Sequence, residues 1–159
     1  MKLKIIYGDY TTGILNRLTK VKEDSAKKGF KITSLDCLDP EVVAKVRTEP
    51  IFGDMRVVFL GNFGKCSDPL ANFLLSSPGF NFDIYASEEG AISQKILKKL
   101  SSIAEVEYFK TPKEIFKFSE SIYPGNSKEI ARFLKKIQGS EQIEFVIGII
   151  VRHLRMVLA

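Results

Sequence analysis

The chain opens on a short apolar run, Leu3-Lys4-Ile5-Ile6-Tyr7, closed by Gly8-Asp9. A run of that length ended by turn residues predicts a buried strand. Thr11 or Thr12 is placed to cap a helix whose apolar face is Ile14, Leu15, Leu18 and Val21, and Gly29 ends it. The alternation from Phe30 to Leu35 predicts a second strand. Asp39-Pro40 opens a short helix running to about Val46, and Pro50 stops it. A third strand covers Val57 to Leu60 and is broken by Gly61-Asn62-Phe63-Gly64. Ser67 or Asp68 caps a helix over Pro69 to Leu75, with Pro78-Gly79 after it. Phe80 to Ala86 gives a fourth strand. Ala91 to Leu100 is helical, with Ile92, Ile96, Leu97 and Leu100 inward, and Val106 to Phe109 is a short fifth strand. Strands alternating with helices predict a parallel sheet covered on both faces.

After Thr111-Pro112 no strand pattern remains. Lys113 to Ser121 reads as helix and Tyr123-Pro124-Gly125-Asn126 as a turn. Ser127 caps a helix carrying Ile130, Phe133, Leu134 and Ile137 at helical spacing, and Gly139 closes it. A last helix runs from Glu141 to Leu158. The expected organisation is an α/β domain over residues 1–111 and a helical segment over 112–159.

Composition narrows the class without naming a reaction. With 159 residues, 45% of them hydrophobic, the chain can build a core without metals or disulfides. Cys37 and Cys66 form no CxxC pair, so they read as free thiols of a reducing cytoplasm and no metal site is expected. The longest apolar run, Phe145 to Val151, is far shorter than a membrane span. The net charge of +5 is carried by lysines dispersed along helix faces. It permits contact with DNA without specifying it.

The candidate chemistry is thin. Gly8-Asp9-Tyr10-Thr11-Thr12-Gly13 follows the first strand, where a nucleotide-binding fold keeps its phosphate loop. Gly8 and Gly13 are present, but there is no Gly-Lys-Ser/Thr to hold phosphate charge and magnesium. No GxGxxG is present either, so no dinucleotide or other cofactor is expected. His153 is the only histidine, sits between an apolar run and Leu154-Arg155, and has no nucleophile elbow to serve. Asp36, Asp39 and Asp54 fit turns and caps better than catalysis. A phosphoacceptor receiver domain lacks its acceptor here, because Gly61-Asn62 follows the third strand.

The segment Ile51-Phe52-Gly53-Asp54-Met55-Arg56-Val57-Val58-Phe59-Leu60, with Tyr7-Gly8-Asp9 and the degenerate phosphate loop, resembles the delta subunit of the bacterial DNA polymerase III clamp loader. Asp83-Ile84-Tyr85-Ala86, Lys95 to Leu100 and Val106 to Phe109 with Thr111-Pro112 are similar to later parts of that family's first domain. The resemblance implies an AAA+-like (P-loop NTPase-type) five-stranded parallel sheet with a degenerate nucleotide site and no ATPase activity. It implies that Ile51 and Phe52 form a wedge entering a pocket on the sliding clamp, in a loop shaped by Pro50, Gly53 and Met55. It implies the clamp and other loader subunits as partners, with any DNA contact indirect or weak, and no membrane. The family's three-helix lid is missing, and Ile115 through Arg155 resembles the start of its helical collar domain. That pattern is expected of a truncated chain or of a shortened relative.

Burying an aliphatic and an aromatic side chain in a clamp pocket would contribute about 3–5 kcal/mol before ordering costs. The alternative for Ile51-Phe52 is that the pair caps its own domain's core. The last helix is apolar over more than one face, which makes Phe145, Ile149, Ile150 and Leu154 candidates for a subunit interface or for internal packing. Three other functions stay open: an accessory or inhibitory factor acting on the same clamp or loader, a small nucleotide- or phosphate-binding protein using the amides of Thr11 to Gly13, and direct DNA binding through the basic helices.

Overall fold

Five strands form one parallel sheet in the order β2-β3-β4-β1-β5: β1 (Leu3–Gly8), β2 (Lys31–Asp36), β3 (Arg56–Gly61), β4 (Asp83–Glu89) and β5 (Ala104–Phe109). Between them run α1 (Thr11–Lys27), α2 (Val42–Arg47), a 3-10 turn at Phe63–Lys65, α3 (Asp68–Ser76) and α4 (Gln94–Leu100); α5 (Ser127–Ile137) and α6 (Ile143–Leu158) follow. The computed structural model describes residues 2–48, 55–76, 82–113, 117–118, 121–123, 125–137 and 143–158. The chain divides into two compact units, Met1–Lys110 and Thr111–Ala159.

In the first unit both sheet faces are covered, which is why the central strands read as unbroken apolar runs rather than as alternation. On one face Leu3, Ile5, Val58, Leu60, Ile84 and Ala86 pack with α2, α3 and α4 through Val42, Val46, Leu70, Leu74 and Leu100. Phe63, fully buried in this layer, lies in what the sequence presents only as a strand break. On the other face α1 sets Leu18 and Val21 over Val57, Phe59 and Tyr85. The rings of Phe59 and Tyr85, direct neighbours in the β3–β4 register, stack at 5.4 Å.

Several boundaries differ from the sequence expectation, each for a local reason. Strand β4 runs on through the polar Ser87, Glu88 and Glu89, because pairing with Ile6, Tyr7 and Gly8 holds it. Helix α4 begins at Gln94, with Ile92 buried in the lead-in and Ser93 extended (φ −55°, ψ 130°). Thr11 and Thr12 stand in the first turn of α1, and its N-cap is Tyr10, with no side-chain cap. Leu15 is exposed rather than inward. Gly29 ends α1 as expected, in the left-handed region at φ +76°, where a side chain would be strained. Asp36 and Asp39 are turn formers, accepting from the backbone N–H of Leu38 and of Glu41, each at 2.8 Å.

In the second unit Phe118 and Phe133 stack at 4.1 Å, and Val146 is fully buried beside them with Ile122, Ile130 and Ile150 around. The residue before α5 is Asn126, not Ser127; its amide donates to Ser121 O at 2.8 Å and to Glu129 Oε2 at 3.0 Å. The breaks expected at Pro50, Pro78-Gly79 and Gly139 lie outside the described residues.

Candidate functional site

The turn after β1 is the first candidate. Only Asp9 and Tyr10 separate Gly8 from Thr11, so Thr11, Thr12 and Gly13 belong to the first turn of α1 rather than to a loop. Gly8 (φ +150°) brings its Cα against the end of β5, where a Cβ would lie 1.9 Å from Phe109 O. Its carbonyl accepts from Gly90 N at 2.7 Å, and Tyr10 N donates to Phe109 O at 3.2 Å. The Tyr10 ring is buried against Gly13: a Cβ there would meet Tyr10 Cδ1 at 2.4 Å and Phe109 Cδ1 at 2.9 Å.

A phosphate needs a concave run of free amides and positive charge. Here the turn is two residues long, and its backbone is bonded to β5 and to Gly90. Other strand ends at this side of the sheet carry carboxylates. Glu88 accepts from Gly64 N at 2.6 Å, and Asp36 accepts from Asn62 Nδ2 at 2.8 Å, so these acceptors brace the turns after β2 and β3.

Below this turn, Glu107 of β5 accepts from Arg17 Nε at 3.0 Å and from Lys4 Nζ at 2.8 Å. The Arg17 hydrogen bond, with that of Lys4 behind it, brings the Glu107 carboxyl down to about 2. The Lys4 ammonium, mostly buried within an apolar strand, is raised by its bond to Glu107 and secondarily to Glu105. The network locks α1 onto β1 and β5. The signal for it in the sequence is one lysine inside LKIIY and two glutamates alternating in β5.

The second candidate is the segment between α2 and β3. Pro50, Ile51, Phe52 and Gly53 lie outside the described residues, and Met55 is 60% exposed. The flanks are described. The Arg56 guanidinium, buried at the start of β3, donates to Val46 O and Thr48 O at the end of α2 and lies 4.5 Å from the Phe82 ring centroid. Met55 O accepts from Lys31 N at 2.9 Å. Arg47 lies over Phe73 of α3 at 4.7 Å. Sequence reasoning uses Arg56 only as a motif letter; its capping role depends on α2 and β3 meeting in space.

The third candidate is α6. Ile150 packs with the Phe118–Val146 core, Leu154 is exposed together with Ile147 and Val151, and the side chains of Phe145, Ile149 and His153 lie outside the description. Cys37 and Cys66, distant in sequence, lie in the same apolar layer with α2 and α3, Cys37 buried and Cys66 packed against it at the edge. That contact with Cys66, and burial, push the Cys37 thiol up, whereas the same contact and the Lys99 charge lower Cys66. Among the described residues no His/Cys/Asp/Glu cluster could hold a metal, and no helix is long and apolar enough to cross a membrane.

A five-stranded parallel sheet in this order, with helices on both faces, is an α/β fold that the chain shares with a solved DNA clamp loader protein. Among solved structures the chain is similar to the DNA clamp loader delta protein of Bacillus subtilis, with a TM-score of 0.56 and 20% identity over 75% of this chain and 42% of that one. The chain thus spans less than half the length of that delta protein. It also aligns with a DNA polymerase III gamma subunit-related protein of Thermotoga maritima, with TM-score 0.47 and 13% identity over 94% of this chain and 53% of the other. A third alignment is with Drosophila ORC bound to AT-rich DNA and Cdc6, at TM-score 0.44 and 13% identity over 75% and 26% of the two chains. The likeness is one of fold. No protein-family profile and no curated protein sequence matches the chain.

Proposed function

We propose that the chain is a non-catalytic, delta-like clamp-loader subunit that binds the DNA polymerase sliding clamp through Ile51 and Phe52 and helps to open it or load it on DNA. The observation that carries this reading is the position of the pair. It stands just ahead of Arg56 and β3, on a fold shared with a DNA clamp loader delta protein. The filled turn at Gly8–Gly13 agrees with a subunit that relies on partners for nucleotide hydrolysis. A buried aliphatic–aromatic pair suits an interface hot spot, and ring opening then needs only preference for the strained clamp conformation. In this reading the protein works in the cytoplasm, Pro50, Gly53 and Met55 shape the contact, and the face of α6 around Phe145, Ile149, Ile150 and Leu154 meets other loader subunits.

The test is surface plasmon resonance of the chain on the sliding clamp of its own source, beside the Ile51→Ala/Phe52→Ala double variant. Specific wild-type binding that disappears in a variant with an unchanged melting temperature supports the reading. A variant that binds normally, or that loses its fold, assigns the pair to another role. Loading of the clamp onto nicked circular DNA, with and without loader subunits, separates a loader from an inhibitor using the same contact.

A further inference from the structure

We infer that the outer face of α6, with Ile147, Val151 and Leu154 in one row and Arg152 and Arg155 in the next, is a docking surface for a helix of another protein whose apolar ridge is flanked by carboxylates. The inference rests on the loader reading for which protein supplies that helix, a loader subunit, and on described residues alone for its chemistry.

Helix α6 is apolar on two adjacent strips, and its own unit uses one of them. Val146 is fully buried and Ile150 packs beside it against Phe118 and Phe133. Ile147, Val151 and Leu154 follow one another at four and three residues, so they form a single row on the helix, about 10 Å long. That row is turned away from the core: Ile147 is 54% exposed, Val151 44% and Leu154 46%. Gly148, Arg152 and Arg155 repeat the same spacing one residue further on and are exposed too. A Cβ at Gly148 would meet open space, so no packing contact of the chain calls for a glycine there. A glycine inside a helix costs stability, and what it permits is the close approach of another backbone.

Charge selects the occupant. Arg152 and Arg155 form no ion pair with a described residue. Among the described side chains of α5 and α6, the exposed charges are Lys128, Arg132, Lys135, Arg152 and Arg155 against Glu129 alone. A helix that covers the apolar row and meets the arginines therefore carries aliphatic residues along its ridge and carboxylates beside them. A second copy of this chain is a poor occupant, because antiparallel pairing of the same rows sets the arginines of both copies side by side. DNA would engage the arginines and leave Ile147, Val151 and Leu154 against a polar backbone.

The experiment measures binding of the full chain to two synthetic helical peptides by fluorescence anisotropy. Both peptides carry the same leucine ridge; one is flanked by glutamates and the other by lysines. Wild type is expected to bind the glutamate peptide about tenfold or more tightly than its lysine twin. Val151→Asp is expected to weaken that binding by about tenfold or more with an unchanged melting temperature. The Arg152→Glu/Arg155→Glu double variant is expected to prefer the lysine peptide. Equal binding of the two peptides, binding of neither, or binding that ignores Val151→Asp overturns the inference. Loss of the fold in Val151→Asp also overturns it, since the row would then be internal core. Self-association that Val151→Asp abolishes gives the face to a second copy, and duplex DNA binding that needs the arginines and ignores Val151→Asp gives it to DNA; either result overturns the inference. No clamp enters these measurements, so their failure is distinct from a failure of the Ile51–Phe52 reading.

Discussion

The Tyr10 ring fills the space beside Gly13, where a Cβ would sit 2.4 Å from Tyr10 Cδ1. This contact packs the start of α1 against the Tyr10 ring. It also requires a glycine at a helical position, where alanine would ordinarily be favoured by up to about 1 kcal/mol. Gly13→Ala is therefore expected to destabilise the first unit by about 1–2 kcal/mol, overpacking outweighing propensity. Thermal melting checks this, and a rise in melting temperature would mean the ring does not occupy that space.

Glu107 links stability to acid. Its carboxyl stands at about 2 when folded against an ordinary value of 4.5. A carboxyl lowered by folding binds its proton more readily in the unfolded chain, so its contribution is complete above about 4.5 and is lost as pH falls toward 2. Glu107→Gln, which leaves the mostly buried Lys4 with Glu105 as its remaining carboxylate, is expected to cost about 2 kcal/mol at neutral pH. The same substitution should flatten the loss of stability between those two pH values. Urea melts of both proteins at pH 3 and pH 7 supply the comparison; parallel curves would show that the network contributes nothing to acid sensitivity.

The two thiols should react in sequence. Cys66 is partly accessible and lowered by its contacts with Cys37 and Lys99, while Cys37 is buried and raised. Since the thiolate is the reactive form, a disulfide reagent at neutral pH is expected to modify Cys66 first and Cys37 only on unfolding. Mass mapping of the modified peptides decides this. Equal rates at both positions would contradict the arrangement.

The first unit carries its own two-sided core, so residues 1–110 alone should fold with a cooperative melt. Within that fragment Phe63→Ala, which empties a fully buried site, is expected to cost about 3–5 kcal/mol. Circular dichroism of the two fragments tests both statements together.

Much of this protein was legible before folding was considered. The five apolar runs, the helical gaps between them, Gly29 as a helix stop and the Asp36 and Asp39 turns all depend on neighbours within a few residues, which is what pattern reading senses. The absence of a Gly-Lys-Ser/Thr after β1 was equally plain, and so was the apolar pair ahead of β3.

Other features depended on groups far apart in sequence. The polar end of β4 is a strand because β1 lies beside it, and the order of strands places β1 between β4 and β5. Tyr10 closes the turn because Phe109 arrives from the far end of the unit. Arg56 becomes a helix cap because α2 ends where β3 begins. The sequence by itself determined the elements and the lack of a Gly-Lys-Ser/Thr motif after β1, since both are local. Only the tertiary structure decided what packs around Gly13 and what joins the end of α2 to the start of β3, since those are contacts between residues that the chain keeps apart and the sheet brings together.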